Sequence, residues 1–168
     1  MFRRNIEMIL QIHQACRKPL YSLIEKITPE QLAWRPATES RNISEIIRHL
    51  VRVDMWFLKR LGYEPQTDDL KNPSAQDLIA MLESSHHQID EVIDHCKDDK
   101  DLLRKSSVPD AKDDENLAGV VKHISQHYLY HTAQMIYLRR AQDRHWKSPI
   151  DEWEFATHVI SDFLWLKG

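Results

Sequence analysis

The chain has 168 residues, enough for one compact domain that buries its own core without staples. A formal charge of −3, with acidic and basic residues interspersed, leaves no concentrated positive surface for phosphates and so excludes nucleic acid as the expected partner. The two cysteines, Cys16 and Cys96, form no C-x-x-C pair or disulfide framework, and no window approaches the ~20 apolar residues of a membrane span. A basic N-terminus is interrupted by Glu7, Gln11 and His13, unlike a secretory signal, so the expectation is a soluble cytoplasmic protein with no membrane association.

Only three glycines occur, among long stretches of Leu, Ile, Glu, Lys, Arg and Gln, which lose little side-chain entropy in a helix. The fold class is therefore all-α. Residues 2–27 carry Ile6, Ile9, Leu20, Leu23 and Ile24 at helical spacing, with Pro19 expected to kink or interrupt the helix. Thr28-Pro29-Glu30-Gln31 reads as an N-cap, a proline at the first position and a Gln at the third, opening a short helix that Pro36 limits. Asn42 or Ser40 caps the next helix, which carries Ile43, Ile46, Ile47, Leu50, Val53 and Phe57 and ends at Gly62. Another begins at Ser74 and ends near Cys96. Residues 97–116, crowded with Asp, Lys and Ser, read as a long connection before the last bundle helix, residues 117–141. The aromatic-rich extension, residues 144–168, is expected to pack on the bundle, with a further helix after Pro149, or to form a subunit contact.

Ten histidines are many for this length. His123, His127 and His131 recur every four residues along one drifting helical face, and two imidazoles at i and i+4 can grip one ion. A third ligand must come from another element. His49, flanked by Ile46, Leu50 and Val53, is the best candidate, because a core-facing imidazole needs a hydrogen bond or a metal. Taken alone it fits a hydrogen-bonded core histidine better than a ligand, and His123 fits a hydrogen bond at the helix mouth. His13, His86, His87, His95, His145 and His158 show no such arrangement.

LIEKITPEQLAWRPATESRNISEIIRHLV, with Trp34, Pro36 and the pair His49-Leu50, resembles the opening of the DinB-like (DinB/YfiT) superfamily. HYLYHTAQMIYLRR is similar to that family's His-x-x-x-His-x-x-Gln phrase, covering His127, His131, Gln134 and Leu138-Arg139. Where the family often has Arg-Gly before the Gln, this chain has Thr132-Ala133. The resemblance spans about residues 1–143 and implies a single domain built as a four-helix bundle, often a homodimer. It also implies a divalent-metal site of His49, His127 and His131, for zinc first and nickel next. Some members transfer or isomerise groups with a low-molecular-weight thiol.

Three neutral ligands leave a coordination position open, as in catalytic sites. The leading expectation is therefore a metalloenzyme that activates a small thiol for S-transfer. Gln134 and Asp54 are the candidate outer partners that orient an imidazole, although plain surface solvation also fits Asp54. The alternatives are metal-dependent hydrolysis, or a non-catalytic, stress-associated metal-binding protein.

Overall fold

The computed structural model describes residues 4–66, 70–106, 108–112 and 115–153. Within them lie α1 (Arg4–Ile24), α2 (Pro29–Ala33), α3 (Ile43–Arg60), α4 (Ala75–Asp94) and α5 (Leu117–Gln142), and no strand is present among the described residues. The four long helices form a bundle. Helix α1 packs on α4 and α5, and α3 packs on the same two, so α4 and α5 are diagonal although consecutive in the chain. A diagonal step cannot be made by a tight hairpin, which accounts for the long connection between them.

Helices α2 to α5 each start where the sequence supplies a cap. Thr28, Asn42 and Ser74 each accept from the third residue's backbone N–H while that residue's side chain returns to the cap. Asn116 accepts from Gly119 N at 2.9 Å and opens α5. Helix α3 stops at Gly62, whose φ of 87° lets Gly62 N donate to Lys59 O and Tyr63 N to Leu58 O.

Pro19 departs from expectation: it lies inside an unbroken α1. The donor it lacks would have served the carbonyl of Ala15, an exposed residue where water can replace it, while Pro19 itself and its neighbours Leu20, Leu23 and Ile24 are buried. Burial of this order, about 1.5–3 kcal/mol per large aliphatic side chain, outweighs one missing backbone bond.

The core is one cluster running from Ile6 and Leu20 through Ile46, Leu50, Leu82 and Ile89 to Met135. Both cysteines are buried in it and neither forms a disulfide. The connection after α4 makes a 3₁₀ turn at Asp101–Leu103 and an isolated antiparallel bridge between Lys105 and Asn116. Arg60, at the end of α3, reaches Asp110 at 3.0 Å and Glu115 at 2.9 Å, tying the start of α5 to α3. Of the C-terminal extension, Trp146 and Ile150 pack partly buried against the core; Glu152 and Trp153 are helical, and the rest of the expected last helix, with the aromatic residues after Trp153, lies outside the described residues. No helix among the described residues is long and apolar enough to cross a membrane.

Candidate metal centre

The capping box that starts α3 at Asn42 places His49 two turns inside the helix, and the Asn116 cap does the same for the ring-bearing stretch of α5. Where these helices meet, His49 Nε2 lies 3.2 Å from His127 Nε2, which lies 2.9 Å from His131 Nε2. Ligand atoms of all three residues fall within 4.8 Å of one another. Nitrogens bound tetrahedrally at the usual zinc distance stand about 3.3 Å apart, so this spacing fits a single ion.

The tautomer of His131 fits as well. His131 Nδ1 is 2.8 Å from Gln134 Oε1, and an amide oxygen only accepts, so Nδ1 carries the proton and Nε2 offers its lone pair to the cluster. Burial, with help from the neighbouring rings, lowers the pKa of His127 to about 4; burial likewise lowers His131 to about 4, against the His131 N–H bond to Gln134. Burial and then the Arg41 charge lower His49. Neutral imidazoles are the form that binds metal.

His49 was expected to face the core. Instead Ile46 and Leu50 take the buried positions and His49 is half-buried at the edge of the bundle. It forms, with His127 and His131, the floor of an open groove of about 750 Å³. Ser40, Arg41, Gln134, Tyr130 and Tyr137 also line this groove, and no described carboxylate does. Arg41 lies close enough for its charge to act on all three imidazoles.

A family model described as the DinB superfamily matches residues 12–135, well over half of the chain. The chain belongs to the DinB superfamily. Proteins of the DinB superfamily generally bind divalent metals, and the three histidines of this DinB-superfamily chain form a cluster that could hold one. No curated protein and no solved structure matches the chain.

The other candidate residues fall differently. Gln134 touches His131 as described. Asp54 is neither solvated nor turned to His49: it is fully buried, and its Oδ2 accepts from Ser85 Oγ at 2.8 Å and from Tyr128 OH at 2.7 Å. Five residues along a helix turn a side chain well away from the first, which carries Asp54 to the bundle centre. His123 stays outside the trio, its exposed ring against Phe57 with centroids 5.1 Å apart.

Around Asp54 lies a second cluster that the sequence reading passed over. His13 Nδ1 donates to Ser125 Oγ at 3.2 Å, and Ser125 Oγ donates onward to Val121 O at 2.7 Å. Tyr21 OH is hydrogen-bonded to His86 Nδ1, and Arg17 is paired with Asp90. The rings of Tyr128, His13 and His86 form a triangle, with centroids 5.5 Å (His13–Tyr128), 5.1 Å (His86–Tyr128) and 6.2 Å (His13–His86) apart. Burial pushes the Asp54 carboxyl up to about 7 and His13 down to about 3, while His86 falls well below its usual value for the same reason. A signal was present in the sequence. His13 falls on the stripe Ile6, His13, Cys16, Leu20, and Ser85 and His86 fall between Leu82 and Ile89, both stripes otherwise apolar.

Proposed function

We propose that this protein is a metalloenzyme of the DinB superfamily in which His49, His127 and His131 hold one divalent transition metal, zinc first and nickel next, and that it transfers a group onto a small thiol. The observation that carries this reading is the placement of three converging ring nitrogens on the floor of an open groove rather than inside the core. A non-catalytic metal site calls for no such access.

Held by His49, His127 and His131, a zinc-like ion would supply the Lewis acidity that makes a thiol a nucleophile at neutral pH. The chain supplies the rest. Gln134 holds the His131 ring in the tautomer that presents Nε2. Arg41 adds a positive charge beside the groove, which favours an anionic thiolate and any carboxylate on the thiol. Tyr130 and Tyr137, both more than half exposed, offer aromatic walls against which an apolar electrophile can lie.

Thiol transfer is favoured over hydrolysis by the lining of the groove. Hydrolysis gains from a carboxylate that takes the proton of the attacking water, and none lines the groove among the described residues.

The test is zinc-loaded, untagged protein incubated with a panel of small thiols and an alkyl or aryl halide. Thioether formation that disappears in His127→Ala and weakens in Arg41→Ala is expected. Ester or amide cleavage without any thioether product overturns the transferase assignment, and absence of stoichiometric metal overturns the site. A homodimer belongs to the same proposal, and a monomer mass by light scattering removes it.

A further inference from the structure

The two residues that flank one another at the junction of both clusters are His127 and Tyr128. His127 points to the groove. Tyr128, one position on and thus about 100° around the helix, points to the bundle centre and is fully buried. It also lies between the two α5 histidines of the metal cluster. On α3 the same division holds, with His49 at the groove and Asp54 inside. Helices α3 and α5 are therefore joined twice, once through imidazoles at the groove and once through Tyr128 OH to Asp54 Oδ2 at 2.7 Å.

All four bundle helices converge on Tyr128. His13 of α1 and His86 of α4 both touch its ring, Asp54 of α3 accepts from its hydroxyl, and Ser85 of α4 donates to the same Asp54 oxygen at 2.8 Å. A fully buried tyrosine held at both its ring and its hydroxyl by three other helices has one setting, and so has the helix that carries it.

That setting matters at the groove. Ligand nitrogens stand about 6 Å from their helix axis, so turning α5 by about 10° carries His127 and His131 about 1 Å. Metal–ligand distances tolerate only about 0.2 Å.

We propose that Tyr128 and Asp54 are positioning residues for the histidine cluster, their hydrogen bond fixing the rotation of α5 against α3 and so the distance of His127 and His131 from His49. This rests on the metal-site reading above. Neither residue touches substrate or metal; each acts through the helix it belongs to.

The experiment measures zinc affinity of the full chain by competition with a chromogenic chelator, the visible spectrum of the cobalt-loaded protein, and urea unfolding, for four proteins. Tyr128→Phe keeps the ring and removes the donor. Asp54→Asn keeps an oxygen that accepts from Tyr128. Ser85→Ala removes the other donor to Asp54, from a helix that carries none of the three histidines. Expected are about tenfold weaker zinc binding and an altered cobalt spectrum in Tyr128→Phe, in the range that outer partners of metal ligands cost. Asp54→Asn and Ser85→Ala should keep wild-type affinity and spectrum.

Three outcomes overturn the proposal. Tyr128→Phe with wild-type affinity and spectrum shows that the hydrogen bond sets nothing at the groove. Ser85→Ala weakening zinc as much as Tyr128→Phe at equal loss of stability reduces the effect to general softening of the core. Wild-type protein that binds neither zinc nor cobalt removes the metal reading itself, and the positioning role with it.

Discussion

On the groove side of α5, the rings of His127 and His131 turn their nitrogens toward each other beside open solvent; on its core side Tyr128, Ser125 and their partners bond to one another with no solvent beside them. Both clusters are rich in histidine, and both hold those histidines neutral. They differ in what completes them. In the groove the acceptor nitrogens converge on a point where an ion fits. In the core, hydroxyls and one carboxyl take the hydrogen bonds, although His13 Nε2, His86 Nε2 and Asp54 Oδ1 have no partner among the described residues. A histidine count therefore says little about function until the partners of each ring are known, since His131 and His86 are almost equally buried.

It follows that changes in the groove alter binding and leave folding alone, while changes in the core lower stability and reach the groove only where they break the Tyr128–Asp54 bond. The largest effect is expected for His127→Ala: zinc affinity should fall by more than about a hundredfold, beyond what outer partners cost. Unfolding in urea should shift by less than about 1 kcal/mol, as for other substitutions outside the core. A stability loss equal to that of a core variant breaks the contrast.

Next is the pH dependence. Asp54 has a folded pKa of about 7 against an ordinary 3.8, so its contribution is fully present below the unfolded value and is lost as pH rises toward 7. Relative to Asp54→Asn, which does not titrate, the wild-type protein should lose on the order of 3 kcal/mol between pH 4 and pH 7. His13, lowered to about 3 from 6.5, works the other way, its contribution being lost as pH falls through that window. Urea melts of both proteins across this range measure the Asp54 difference directly, because the His13 contribution cancels. A constant difference across the range would mean that the carboxyl reaches water.

Asp54→Ala at pH 6 should cost about 2 kcal/mol, since it strands the Tyr128 hydroxyl in the core. Ser85 suffers less, because its hydroxyl can also reach Leu82 O. The smallest effect is expected for Gln134→Leu: about tenfold weaker zinc binding with unchanged stability, as Gln134 orients only His131. Isothermal titration with zinc measures the first and a thermal melt the second.

Much of this was legible from the chain. Helix starts were, because Thr28, Asn42, Ser74 and Asn116 satisfy orphan N–H groups through short local contacts. So was the trio of histidines as an expectation, because i,i+4 spacing on α5 and the family phrase around His49 point the same way. What stayed hidden depends on contacts between distant segments. Pro19 is tolerated because of what α1 packs against. Asp54 was read against His49 in its own helix, whereas its partners come from positions 31 and 74 residues away. Arg41, Tyr130 and Tyr137 line the groove only once α3 and α5 are side by side, although 127, 130, 134 and 137 do trace one helical stripe.

The burial of Cys16 and Cys96 has a practical consequence for the proposed thiol chemistry. Neither sulfur lines the groove: Cys16 is closed off inside the bundle, and Cys96, just past the end of α4, keeps only 6% exposure. Alkylating electrophiles and disulfides offered to the native protein should therefore be consumed by the added thiol and not by the polypeptide. Mass spectrometry of the recovered chain should find both cysteines unmodified.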